Sequence, residues 1–367
     1  HKNGDKLPSS RHNLQVALRR LEITIRLNEF TKAIEQSGID RYPTKLTDAA
    51  ITHIRETLIE RFGLTFKKDH LNDLLDDEAH RNSYHPVRER LLGLKPKWDH
   101  VNRVDDFFIR YFGAEDTPLN RLFSRLFLIA AVRRIMKPGC KFDQIVVLHS
   151  AQGMGKSTAL KIMAMEDDWF TDSLPINADP KLVIEQTSGN WIVEIAELAG
   201  MKKAEVEMVK AFASRTHDTA RLAYARRSIE VPRQFVAIAT TNDEKFLKDP
   251  TGNRRFWPIR CVKIDLEALK ADREQIWAEA AHLEVQGVSI ELPPEYYAEA
   301  AGLQQAHMIE NQYVDKLRLE LGDETGKIPA TYVYEILGLP TERQQQYTTE
   351  AIGRAMKELC WEKRQLS

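Results

Sequence analysis

The chain of 367 residues carries 53 lysines and arginines against 54 aspartates and glutamates, a net charge of −1, with 43% hydrophobic residues. That length and composition support packed cores in two or three domains and exclude polyanion binding by bulk charge, so any nucleic-acid contact must come from local clustering. Nothing approaches the roughly 20-residue apolar run of a membrane span, the first residues lack the apolar core of a secretory signal, and Cys140, Cys261 and Cys360 are too scattered for a disulfide framework or a zinc site. A cytoplasmic protein is expected, with each cysteine a small buried apolar residue, and the abrupt start at His1 predicts a piece cut from a longer polypeptide.

In chain order, residues 11–95 predict short helices. Thr47 is an N-cap, and Ile51, Ile54, Leu58 and Ile59 repeat at helical spacing before Phe62-Gly63. A second helix is expected over 71–79. The prolines of His85-Pro-Val-Arg88 and Leu94-Lys-Pro-Lys-Trp-Asp99 read as a connector. Thr117-Pro118 starts a helix with Leu119, Leu122, Phe123, Leu126 and Ala130 on one face, and Lys137-Pro-Gly139 ends it. Residues 144–149 form a short apolar run that predicts a buried parallel strand, with further strands over 191–195 and 235–240. Strands alternating with helices predict an α/β fold, a parallel sheet covered on both faces. Residues 265–285 are helical again, and a small separate helical unit follows Leu292-Pro-Pro294. The expected domains are a helical region at 1–95, a nucleotide-binding domain at 96–290 and a C-terminal module at 291–367.

In that last module, Lys327-Ile-Pro-Ala-Thr331 predicts a short strand leading into a helix faced by Tyr332, Ile336 and Leu337 and broken by Gly338. Thr348-Thr349 caps a second helix with Ile352, Met356 and Leu359 on one side, and Trp361 packs at the start of a wing. Arg354, Lys357, Lys363 and Arg364 give this winged-helix-like module a basic side; a helical lid is the alternative.

The chemistry concentrates after the first buried strand. Ser150-Ala-Gln152-Gly153-Met154-Gly155-Lys156-Ser157-Thr158 is a phosphate-binding loop: backbone N–H groups wrap a phosphate, Lys156 reaches the β- and γ-phosphates of ATP, and the Ser157 hydroxyl holds Mg²⁺. The usual pattern has glycine where Ser150 stands. Asn190-Trp-Ile-Val-Glu-Ile-Ala-Glu-Leu198 is a buried strand ending in acids, one to organise Mg²⁺ and one to activate water. Strand residues three apart face opposite ways, so Glu194 and Glu197 both serve one site only if Glu197 lies beyond the strand end. Asn242, closing a second buried strand in Thr-Thr-Asn242, is placed to position the attacking water. Arg254 and Arg255 share a turn, and one of them could reach a neighbouring subunit's γ-phosphate; a salt bridge to Asp249 or a stack on Trp257 is the alternative. Between Lys210 and Arg233 six basic residues face two acidic ones around Tyr224, a composition suited to a nucleic-acid backbone with base stacking, or simply to a solvated face.

These stretches, with His85-Pro-Val-Arg88, Lys97-Trp-Asp99, Lys137-Pro-Gly-Cys-Lys-Phe-Asp143, Asp218-Thr-Ala-Arg-Leu-Ala-Tyr224 and Leu247-Lys-Asp-Pro-Thr-Gly-Asn-Arg-Arg-Phe256, together resemble the virulence-associated E family of ATPases, related to superfamily 3 helicases of phages, plasmids and pathogenicity islands. The resemblance covers about residues 85–260. It implies an AAA+-like core, a homo-oligomeric hexameric ring, and single-stranded or forked DNA as partner in replication. It also implies a DNA-touching hairpin over residues 221–227, with Arg221, Tyr224, Arg226 and Arg227, and Glu197 as the catalytic glutamate. A primase-polymerase domain often precedes such regions. Two other readings stay open on the sequence: a nucleotide-gated DNA-binding initiator or remodeller, and a defence ATPase, neither unwinding processively.

Overall fold

A computed structural model describes residues 9–173, 180–220, 229–247, 252–308, 313–322, 324–339, 349, 352–353, 355–357 and 359–362. Helix α1 (Arg11–Arg20) starts on the Ser10 hydroxyl, which accepts from Asn13 N. An antiparallel hairpin of β1 (Thr24–Asn28) and β2 (Ala33–Ser37) follows, which corrects the all-helical expectation for 11–95. Its cause is local: Ile23 and Ile25 are buried around exposed Thr24, a period of two, and Asn28 Oδ1 accepts from Phe30 N and Thr31 N to close the turn. Then come α2 (Asp48–Phe62), capped by Thr47 and ended by Gly63 at φ 64°, and α3 (Lys68–Arg81). The connector expected after His85 is instead α4 (Pro86–Leu94). Proline takes the first helical position, where no N–H is needed, and His85 Nδ1 accepts from Arg88 N. Leu14, Ile25, Ile54, Leu58 and Leu71 share one apolar cluster, whereas Val87, Leu91 and Leu94 join the large central one.

After α5 (Phe107–Phe112) and the long α6 (Pro118–Met136), capped by Thr117, the chain builds its main sheet. Its elements run β3 (Ile145–His149), α7 (Lys156–Met163), β4 (Phe170–Thr171), α8 (Pro180–Thr187), β5 (Ile192–Ile195), α9 (Lys203–Ala213), the hairpin β6 (His217–Ala220) and β7 (Ile229–Pro232), β8 (Val236–Thr241), β9 (Phe256–Arg260) and α10 (Leu266–Val285). The five main strands are all parallel in the order β4-β5-β8-β3-β9. The expected strands lie at β3, β5 and β8. Strand β9 was not among the expected strands; it tolerates Pro258 as an edge strand, bonded among the described strands to β3 alone.

Side chains alternate between two layers. Val146, Leu148, Ile192, Val236, Ile238, Trp257 and Ile259 face the cluster that includes residues of α6, α7 and α10. Ile145, Val147, Ile195, Ala237, Ala239 and Phe256 face Val206, Val209 and Ala213 of α9. Buried indoles tie the first layer together: Trp191 donates to Ala131 O and Trp277 to Met163 O, each at 2.9 Å. Beyond the sheet lie α11 (Tyr297–Ala306), α12 (Val314–Leu321) and α13 (Ala330–Leu337). Residues 327–329 are not a strand, and α13 buries Val333 and Leu337 while Tyr332 stays 47% exposed, so its apolar face is rotated from the expected one. Gly338 ends α13 at φ 66°. Ile352, Met356, Leu359 and Trp361 pack on this C-terminal cluster; Thr348, Arg354, Lys363 and Arg364 lie outside the described residues, among which no strand follows Arg260. Cys261 is buried and Cys140 half-buried, but Cys360 is exposed, against the expectation for it. Among the described residues no helix is long and apolar enough to cross a membrane.

Candidate nucleotide site

The strand order opens a crevice. From β3 the chain leaves for β4 at one edge, then later passes from β8 to β9 on the other side of β3, and such a divergence leaves room at the carboxyl ends of the strands. Residues 150–155 occupy that place, between β3 and α7. Gly153 at φ 80° and Gly155 at φ 87° hold the left-handed backbone that lets successive N–H groups gather around an anion. Ser150 has no positive φ, so the position does not demand glycine, and its hydroxyl is put to use. The Lys156 ammonium lies 2.9 Å from Ser150 Oγ, 3.3 Å from the carbonyls of Ser150 and Ala151, and 3.1 Å from Asn242 Oδ1. Burial pulls Lys156 below its ordinary pKa. Gln152 is exposed on the loop and Met154 half-buried, while Ser157 and Thr158 are exposed on the first turn of α7.

Glu194 sits on β5 with the parity of Ile192, facing α7, and Thr240 sits on β8 with the parity of Ile238, facing the same way. The Ser157 hydroxyl donates to Glu194 Oε1 at 2.8 Å and the Thr240 hydroxyl donates to the same oxygen at 2.5 Å. Glu194 is 1% exposed, yet among the described residues its Oε2 has no hydrogen-bond partner. A buried carboxylate oxygen left open beside a hydroxyl fits a hard dication such as Mg²⁺, which takes oxygen ligands. The sequence reading missed Thr240; its signal was the alternation along β8, which sets Thr240 on the face opposite Thr241.

Strand β5 ends at Ile195, and Glu197 stands beyond it, exposed, at φ 56° and ψ 41°. A non-glycine residue in that left-handed conformation is strained, and such strain concentrates at functional sites. Asn242 follows β8 directly and meets Lys156 as above. Arg254 and Arg255 are not in this group. They lie on the turn before β9, whose first residue, Phe256, pairs with Ile145 at the amino end of β3. About 16 Å of strand therefore separates them from the 150–155 loop of their own chain. Arg254 is exposed, and Arg255 Nε donates to Ser214 Oγ at 3.1 Å. Arg221, Tyr224, Arg226 and Arg227 lie outside the described residues; the β6–β7 ladder closes on them at Ala220 and Ile229. The base of that hairpin is fixed by Arg233, which donates to both carboxylate oxygens of Asp218 at 2.6 and 2.7 Å.

At the end of β3, His149 is buried against Phe246 and His307. Burial, with His307 and the cations of Arg260 and Lys156 nearby, pulls its pKa down to about 4, so it is neutral near pH 7.

Comparison with known proteins places this geometry. Two structures described as the apo form of the NrS-1 C-terminal region superpose with a TM-score of 0.50 at 13% identity; one match covers 96% of this chain and 90% of that one, the other 93% and 86%. At that identity the likeness is one of fold. No curated protein matches the chain. The profile of the virulence-associated protein E-like domain matches residues 91–309, more than half of the chain and all of the site just described. The chain therefore belongs to the virulence-associated protein E-like domain family.

Proposed function

We propose that this protein is a Mg²⁺-dependent ATPase of the superfamily 3, AAA+-like type, acting as a DNA helicase or translocase in the replication of a phage or other mobile element. The observation that carries the reading is the meeting of Lys156, Ser157, Glu194, Thr240 and Asn242 at the carboxyl edge of the sheet, each within hydrogen-bond distance of another. Lys156 and the loop N–H groups of residues 152–158 neutralise the phosphate chain. Ser157 and Glu194 hold Mg²⁺, which supplies charge stabilisation at the transferring phosphoryl group. Glu197 accepts the proton of a water oriented by Asn242; that oxygen bonds to the γ-phosphorus as the bond to ADP breaks.

Arg254 or Arg255 completes the site of the next subunit. Their distance from their own loop supports action in trans, and a ring of identical subunits, a hexamer in this reading, supplies the neighbour. The hairpin tip at 221–227 contacts single-stranded or forked DNA in the channel, and a primase-polymerase domain or partner acts on the same DNA. The test is Mg²⁺-dependent ATP hydrolysis with and without forked DNA, alongside strand displacement. Turnover and unwinding that vanish together in Lys156→Ala are expected. No Lys156-dependent turnover would sink the reading, and turnover without displacement would reduce it to an ATP-gated DNA-binding protein.

A further inference from the structure

The turn after β8 is held from a part of the chain outside the stretches that carried the sequence resemblance. Asn242 opens this turn, and on its near side Thr241 Oγ1 accepts from Asp243 N at 3.3 Å. The far side is clamped by one residue at the end of α11. His307 O accepts from Phe246 N at 3.0 Å and from Leu247 N at 3.1 Å. The His307 ring stacks on Phe246, with centroids 5.2 Å apart and planes at 25°, and meets His149 edge-on at 4.5 Å. Its Nδ1 lies 2.6 Å from Glu244 O. A carbonyl only accepts, so Nδ1 carries the proton.

We propose that His307 is a positioning residue for Asn242: its Nδ1–H bond to Glu244 O fixes the turn that holds the Asn242 amide against Lys156, and so against the attacking water. This rests on the ATPase reading. The backbone bonds and the ring stack would hold the segment in any case; the imidazole proton is what fixes the orientation of residues 242–244. Misplacing a reactive group by about 1 Å can cost on the order of 100-fold in rate without changing substrate binding.

Two variants separate the donor from the ring. His307→Asn carries an N–H at the same branch position and loses the stack, whereas His307→Phe keeps the stack and cannot donate. Steady-state ATP hydrolysis by the full chain should show kcat within about threefold of wild type for His307→Asn, and a fall of roughly 10- to 100-fold for His307→Phe with KM changed less than about twofold. In an Asn242→Ala background, His307→Phe should have no further effect on kcat, because the group it positions is gone. A fall for His307→Asn with wild-type kcat for His307→Phe would make the ring a packing element and overturn the proposal. So would an undiminished effect of His307→Phe in the Asn242→Ala background. If wild-type protein shows no turnover that Lys156→Ala removes, the ATPase reading fails and this proposal falls with it; normal wild-type turnover with an unaffected His307→Phe rejects the proposal alone.

Discussion

Glu194→Gln should change the protein in opposite ways with and without nucleotide. The carboxylate is 1% exposed and accepts two hydroxyl bonds on Oε1, from Ser157 at 2.8 Å and Thr240 at 2.5 Å, with no partner on Oε2 among the described residues. A glutamine carbonyl keeps both bonds but loses their charge assistance, about 1 kcal/mol each. Its amide sits where the open oxygen was, leaving buried donors unpaired at about 1–3 kcal/mol. Against these stands the relief of a buried charge, several kcal/mol. The terms oppose one another at similar size, so without nucleotide the variant should lie within about 2 kcal/mol of wild type. With Mg-ATP at 100 times Kd, wild type gains about 2.7 kcal/mol, roughly 3–4 °C in Tm for a chain of this length. A neutral oxygen is a poor Mg²⁺ ligand. If Kd rises tenfold, the gain at the same concentration drops to about 1.4 kcal/mol. Thermal melts with ATP plus Mg²⁺, ATP plus chelator and neither separate the two effects, and calorimetric titration gives Kd directly. An unchanged Mg-ATP shift in the variant would refute the metal assignment. A loss above about 3 kcal/mol without nucleotide would show instead that the carboxylate supports the fold.

Glu197→Gln should keep ATP binding and lose turnover by about 100-fold, and because the side chain is exposed, its Tm should stay near wild type; if Glu194→Gln alone shows this trapping, the two carboxylates have exchanged roles. An alanine variant of whichever of Arg254 and Arg255 acts in trans should bind ATP normally and hydrolyse it poorly, and mixing it with Lys156→Ala protein should recover activity; no recovery despite verified subunit exchange would make both arginines structural. Asp218→Ala leaves the buried Arg233 guanidinium without its carboxylate partner and should cost about 3–5 kcal/mol, partly recovered when Arg233→Met is added, and a denaturant melt reads both. His149 has a folded pKa of about 4 against an ordinary 6.5, so between those values the unfolded chain takes up a proton that the folded one refuses. Its stabilising contribution is complete above pH 6.5 and fades as pH falls to about 4. Tm should drop across that window less steeply in His149→Gln, and identical slopes would exclude His149 as the cause.

The parts of the fold that were legible in the sequence are those where one local signal decides the outcome. Thr47 and Thr117 each bond the backbone N–H three residues on, and β3, β5 and β8 are buried on both faces, so their apolar runs needed no tertiary context. Strand β9 was hidden because Pro258 is acceptable only at a sheet edge, and edge position is a property of the whole sheet. The β1–β2 hairpin was hidden by its length, five residues per strand among helical neighbours. In the site, spacing along the chain sufficed to bring forward Lys156, Ser157, Glu194, Glu197 and Asn242. It could not find Thr240 or His307, whose places depend on which strand lies beside β5 and on where α11 ends.

The two edges of the sheet carry different groups, and α9 runs between them. Its start follows the Glu197 turn, with Lys202 N donating to Glu205 Oε2. At its end, Ser214 Oγ donates to Lys210 O and accepts from Arg255 Nε, while Phe212 O accepts from Arg233, the residue that pins the hairpin through Asp218. Eleven helical residues span about 16 Å, the same as a five-residue strand, so the helix reaches from the carboxyl edge to the amino edge in one piece. Val206, Val209 and Ala213 are buried against the sheet, and an interior packed to that density shifts as a unit instead of compressing. In the ATPase reading, a displacement of the Glu197 turn would be carried by α9 to the hairpin base and Arg255 together. In that reading, this gives hydrolysis one path to the DNA-side hairpin and to the residue facing the next subunit. The Arg255–Ser214 bond is its narrowest point, a single side-chain hydrogen bond with no ion pair to Arg255 among the described residues.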